Sequence, residues 1–90
     1  MKKNMVDILY DDFPWRLIPG EVDKRHFLLL ISITSIRSRK VINALEDYFV
    51  GGKNRKEVCY KHKINQGYLS IKVRELQEIS AKIYNASHFI

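Results

Sequence analysis

The sequence predicts an all-α fold: a small helix-turn-helix domain of four to five helices, preceded by an irregular N-terminal arm. Three observations predict it. Apolar residues recur at spacings of three and four through most of residues 21–84. Ser38, Asn54 and Asn65, residue types that cap helix N-termini, each stand just before such a stretch. A short apolar, small, turn, apolar pattern then joins the last two stretches. The chain divides accordingly into an irregular arm over 1–20, a helical domain over 21–84 and a tail over 85–90.

The arm has no clear period and carries Pro14, Pro19 and Gly20. Phe13, Trp15 and Leu17 give it apolar groups that can dock onto the domain or onto a neighbouring subunit. Pro19-Gly20 punctuates the chain before a first helix over about Glu21 to Ile36. Glu21 and Asp23 in its first turn suit the positive end of the helix dipole. The run from Phe27 to Ile33 is apolar around more than one face, which predicts burial on several sides, one of them against another subunit. A central β-strand is the competing reading, since Ile31, Ile33 and Ile36 are β-branched.

A second helix is predicted from the Ser38 cap to about Val50, with Val41, Ile42, Leu45, Tyr48 and Phe49 on one stripe. Arg39, Lys40, Glu46 and Asp47 fall on its outer face, and Gly51-Gly52 ends it. Asn54 introduces a short third helix over Arg55 to His62. Asn65 introduces a fourth over about Gln66 to Tyr84, with Leu69, Val73, Leu76, Ile79 and Ile83 as its stripe.

The chain has 90 residues, enough for one domain. A domain of that size buries only about 60% of its unfolded surface, so self-association is a natural source of stability. The net charge is +6. Residues 1–36 hold five cations and five anions, whereas 37–90 hold eleven cations against five anions, so the C-terminal half carries the whole excess. That asymmetry suggests a polyanionic partner, although a mildly basic solvated surface gives the same totals. The single cysteine, Cys59, allows no intrachain disulfide. Asp7, Asp11 and Asp12 interrupt any signal-peptide core after Met1-Lys2-Lys3. The longest apolar stretch is far short of the ~20 residues that span a bilayer. A cytoplasmic protein with no membrane partner is the simplest expectation.

The informative segment runs from Glu57 to Leu69. Val58 is an apolar anchor, and Cys59 is small enough to let the next helix cross closely. Ile64 plugs the turn, and Leu69 faces back from the second helix. This is the core spacing of a helix-turn-helix. The usual next apolar position is Lys72 here, so Val73 takes that job. In such a motif the second helix presents Gln66, Gly67, Tyr68, Ser70 and Ile71 to a groove, and Gln66 can hydrogen-bond base edges. Lys72 and Arg74 suit phosphates, as do Lys53, Arg55 and Lys56 beside the free N–H groups of a helix start. Taken singly, each cation also reads as a solvated surface group.

Four runs resemble the PapB family of fimbrial (adhesin biosynthesis) transcription regulators: His26 to Ile31, Asp47 to Gly52, Arg55 to Cys59, and Asn65 to Ser70. The resemblance covers roughly Leu17 to Leu76. It implies a bacterial, cytoplasmic and nucleoid-associated regulator of fimbrial adhesin genes, acting as a homo-oligomer on double-stranded, AT-rich DNA through the minor groove. It singles out Arg55 and Cys59 for DNA binding, and Leu29, Tyr68 and Leu76 for oligomerisation. The apolar first helix adds Phe27 and Leu30 to the oligomerisation set. The candidate DNA-binding set is Lys53, Arg55, Lys56, Cys59, Asn65, Gln66, Tyr68, Ser70, Lys72 and Arg74. A minor groove favours inserted Arg55 and Arg74 over Gln66, so the residues leave the groove open.

Other chemistry finds little support. Cys59 and His62 are three apart on a helix, but no second cysteine or nearby histidine completes a metal site. The pairs Asp11-Asp12 and Glu46-Asp47 point to different helix faces, which suits no acid–base couple. No enzyme activity, cofactor, metal or small-molecule substrate is expected. The alternative function is a protein–protein helix-turn-helix module that antagonises a related regulator by mixed oligomerisation.

Overall fold

The computed structural model describes residues 13–87. Among these, the chain forms four helices and no strand: α1 (Lys24–Ile33), α2 (Arg39–Phe49), α3 (Arg55–His62) and α4 (Gln66–Ser87). The helical alternative thus prevails over the strand for the apolar run in α1. Arm residues 1–12 and tail residues 88–90 lie outside the described residues.

Three of the four helices start on the caps that the sequence marks. The Ser38 side chain accepts from the Val41 N–H, Asn54 from Glu57, and Asn65 from Tyr68. α1 departs from expectation. It starts at Lys24, not Glu21, because Asp23 is itself the cap and accepts from the N–H groups of Arg25 and His26. It also stops at Ile33, short of Ile36. Thr34 turns extended there, and its hydroxyl donates back to the Ile31 carbonyl. At the other end of the chain α4 runs on to Ser87, through residues expected to be tail.

α2 and α4 form the centre, with α4 packed against all three other helices and α1 and α3 on either side of α2. Phe27, Leu30, Leu45, Phe49, Val58, Leu69 and Leu76 are fully buried. Seven such side chains at ~1.5–3 kcal/mol each supply the main driving force of the fold. α1 buries only Phe27, Leu30 and Ile31, while Leu28, Leu29 and Ile33 are exposed. Within one chain it is therefore covered on one side, not several.

The segment before α1 is strapped to α4. Gln77 is buried and makes two bonds with the backbone of Leu17. Its Oε1 accepts from the Leu17 N–H and its Nε2 donates to the Leu17 carbonyl, both at 2.9 Å. Ser80 Oγ donates to the Trp15 carbonyl at 2.7 Å. Leu17 is itself buried, and Trp15 stacks on Phe13 with centroids 5.2 Å apart. Of the two docking choices the sequence left open, Leu17 thus takes its own chain.

A second tie joins this segment to the end of α2. The N–H groups of Gly20 and Val22 both donate to the Phe49 carbonyl. Gly20 (φ +84) and Gly52 (φ +73) meet there so closely that a Cβ on either falls 3.1–3.2 Å from the other's Cα. Both positions need glycine for backbone angle and for space.

Candidate nucleic-acid interface

α3 and α4 form the helix-turn-helix. The turn depends on Lys63, whose left-handed backbone (φ 56, ψ 50) lets the Ile64 N–H close back on the Cys59 carbonyl at 3.1 Å. Ile64 packs half-buried against the core. Val58 and Leu69 lock the two helices from within, and Val73 is buried where the usual spacing would put residue 72. Lys72 is thereby kept out of the core and lies half-buried, its Nζ over the Tyr68 ring.

The junction of α2 and α3 is fixed by Asp47. Its carboxylate accepts from His62 Nε2 at 2.7 Å and Lys61 Nζ at 3.1 Å, and its backbone carbonyl accepts from the Lys53 N–H. The His62 bond, with Lys61 and nearby Lys53, holds the Asp47 carboxyl below its ordinary range against the opposing effect of burial. Asp47 read from sequence as an outer-face anion. Only the fold shows that it pins α3 to α2.

The outward face of the motif is built around Arg55. Its Nη1 donates to Ser70 Oγ at 2.8 Å across the α3–α4 junction, and its Cζ lies 5.2 Å from the centroid of the Tyr48 ring. Arg74 stands one turn beyond Ser70 on the same side of α4 and is exposed. Gly67 and Ile71 share this face, and little crowds the Gly67 backbone beyond the Asn65 side chain. Lys56 is exposed beside Arg55, and Gln66 is exposed at the start of α4.

The remaining candidates fall elsewhere. Tyr68 and Lys72 occupy the opposite flank of α4, since positions 68 and 70 point roughly 200° apart on a helix. Tyr68 lines a recess with Ser38, Lys40, Val41 and Lys63, and Lys72 sits over its ring while pairing with Glu75 at 3.1 Å. Asn65 uses its side-chain oxygen as the α4 cap. The Lys53 side chain is half-buried near Asp47. Cys59 is buried in the core, so its thiol is a packing group of α3 and not a surface contact. The candidate oligomerisation set is divided in the same way. Phe27, Leu30 and Leu76 fill the chain's own core and offer a second copy no surface, whereas Leu29 is 64% exposed and Tyr68 42% exposed. Tyr48 was legible only as part of a core stripe. Its contact with Arg55 joins two helices and leaves no local sequence mark.

No described helix is long and apolar enough to cross a membrane. A small all-α domain with a helix-turn-helix, its outer face carrying arginine and lysine side chains, has the architecture of many transcription regulators. The comparisons with known proteins name the branch. A family model described as adhesin biosynthesis transcription regulatory protein matches residues 1–90, and the chain belongs to this family, the PapB family.

Among Escherichia coli proteins, the chain is similar to regulatory protein FanB, with 64% identity over 99% of this chain and 90% of that one. It is 49% identical to PapB, a major pilus subunit operon regulatory protein, over 72% of this chain and 62% of that one. An adhesin operon regulatory protein of the AFA-III system is 41% identical over 81% of this chain and 72% of that one. The crystal structure of E. coli FocB superposes with a TM-score of 0.76 at 37% identity, covering 81% of this chain and 83% of that one.

Proposed function

We propose that this protein is a cytoplasmic, nucleoid-associated regulator of fimbrial or adhesin genes that binds AT-rich double-stranded DNA as an oligomer, through the helix-turn-helix at residues 54–80. The observation that carries the reading is the outward face of α3 and α4, where Arg55, Ser70 and Arg74 stand together with Lys56 beside them. Arginines suit this role because their planar fork meets phosphates and narrow grooves with several donors at once. The direct DNA set is thereby reduced to Arg55, Lys56, Gln66 and Arg74, with Ser70 acting through its bond to Arg55. The exposed Leu28, Leu29 and Ile33 on α1 support self-association, since an unpartnered apolar patch is costly on a small domain.

The test is a titration of the purified protein against an AT-rich and a GC-rich duplex at two salt concentrations, with oligomeric state followed in parallel. Tight, salt-sensitive binding that prefers the AT-rich duplex is expected, because each neutralised phosphate releases counterions. Arg55→Ala is expected to weaken binding while leaving the helical signal unchanged and lowering the melting temperature by only about 4–8 °C, the cost of its exposed contacts with Tyr48 and Ser70. A folded oligomer that binds neither duplex at low salt refutes the DNA reading. Such a result points instead to a module acting by mixed oligomerisation with a related regulator.

A further inference from the structure

We propose that Tyr48 and Ser70 are positioning residues for Arg55, together holding its guanidinium at the α3–α4 junction as a preformed contact for double-stranded DNA. This rests on the DNA-binding reading above. Arg55 is the first residue of α3, a place where a long side chain would normally sample many rotamers. Here two neighbouring helices restrain it. The Tyr48 ring on α2 lies 5.2 Å from Cζ, inside the range of a cation–π contact, and Ser70 Oγ on α4 accepts from Nη1 at 2.8 Å.

The Tyr48 ring is itself fixed. It is half-buried and meets Phe49 edge-on, with centroids 5.0 Å apart and Phe49 fully buried. The guanidinium is therefore referenced to the core through a rigid aromatic face. Neither restraint uses up the charge. A ring face takes no N–H donor, and Ser70 takes one of the five in the fork. Among the described residues Arg55 makes no ion pair, in contrast to Lys61 with Asp47 and Lys72 with Glu75. The arrangement leaves an oriented, unneutralised cation with donors to spare, which loses less freedom on binding than a free arginine does.

The experiment measures DNA affinity for the full chain carrying Tyr48→Phe, Tyr48→Leu, Ser70→Ala, Arg55→Ala and the double variant Tyr48→Leu/Arg55→Ala. Melting curves check that each is folded, and proton NMR of the free protein follows the Arg55 side chain. Tyr48→Phe keeps the ring and is expected to bind as the parent does. Tyr48→Leu is expected to weaken binding by about 2–5-fold, the fold-change of an exposed cation–π contact. It should also abolish the ring-current shift of the Arg55 side-chain protons. In the Arg55→Ala background Tyr48→Leu should cost nothing further, which a purely structural role for Tyr48 would not produce. Should Tyr48→Leu fail to fold, Ser70→Ala takes its place in the same cycle.

Equal losses from Tyr48→Leu with and without Arg55 overturn the proposal, as does an Arg55 proton spectrum that ignores the ring. A parent chain that binds no duplex overturns the DNA reading beneath it.

Discussion

Replacing Gln77 by alanine should release the strap that holds residues 15–17 on α4. The substitution leaves the N–H and carbonyl of Leu17 without their partners in a buried place. Each orphaned group costs about 1–3 kcal/mol, which sums to about 2–6 kcal/mol if the strap stays docked. Detachment sets a ceiling on that cost. Once the strap lifts off, water satisfies both groups, and what is lost is the burial of Leu17, about 1.5–3 kcal/mol, and the bond from Ser80. The expected loss is therefore about 2–3 kcal/mol, a fall in melting temperature of about 10–20 °C for a domain of this size. Trp15 is the only tryptophan in the chain and lies in the strap, so its emission reports detachment directly. Urea melts followed in parallel by Trp15 fluorescence and far-UV circular dichroism separate the two outcomes. A loss below about 1 kcal/mol with unmoved Trp15 emission would refute the idea that Gln77 holds the strap.

Three other substitutions probe the remaining ties. Gly52→Ala forces a side chain into a left-handed backbone and against Gly20, so a loss of about 2 kcal/mol is expected in the urea midpoint; an unchanged midpoint would show that the two glycines do not constrain each other. Asp47 has its carboxyl lowered by His62 and Lys61, so its contribution is present above the unfolded value near pH 4 and is lost as pH falls through the folded value. Asp47→Asn should therefore flatten that part of the acid limb below about pH 4 in melts taken between pH 2.5 and 6, and a limb identical to the parent's would count against the assignment. Leu29→Asp on the exposed face of α1 should leave the melting temperature of the single domain within a few degrees while lowering the assembled mass seen by sedimentation. An unaltered mass would move the contact between copies away from α1.

Features that obey local rules were legible in the sequence. Ser38, Asn54 and Asn65 cap as their chemistry demands, and Gly51-Gly52 follows α2 as expected. The Val58, Ile64, Leu69 and Val73 spacing places the helix-turn-helix, including the displacement of Lys72. What escaped depends on partners far along the chain. Val22 reads like the first turn of α1, but its N–H is drawn to the Phe49 carbonyl, and the helix waits for Asp23. Gln77 carries no mark of burial in its own stretch of sequence, and only the fold places Leu17 beside it. By charge and spacing alone Arg55 looks equivalent to Lys53 and Lys56 in a basic run; the family resemblance singles it out, and its contacts with Tyr48 and Ser70 leave no local mark. For the same reason burial divides the oligomerisation set: an apolar stripe does not say whether its cover is the chain itself or a copy of it.

The separation of Leu17 and Gln77 by 60 residues also bears on how the protein is made. Translation at roughly 5–20 residues per second puts about 3–12 s between the synthesis of the two halves of that strap. During this interval α1 has no α4 to pack against, and the side that α4 later covers faces water or a chaperone. The nearest-neighbour pairs, α2 with α3 and α3 with α4, close short loops and can settle first. Leu17 can dock only after Gln77 has left the ribosome. A nascent chain truncated before Gln77 would thus carry α2 and α3 already able to pair while Leu17 and the α4-facing side of α1 are still uncovered.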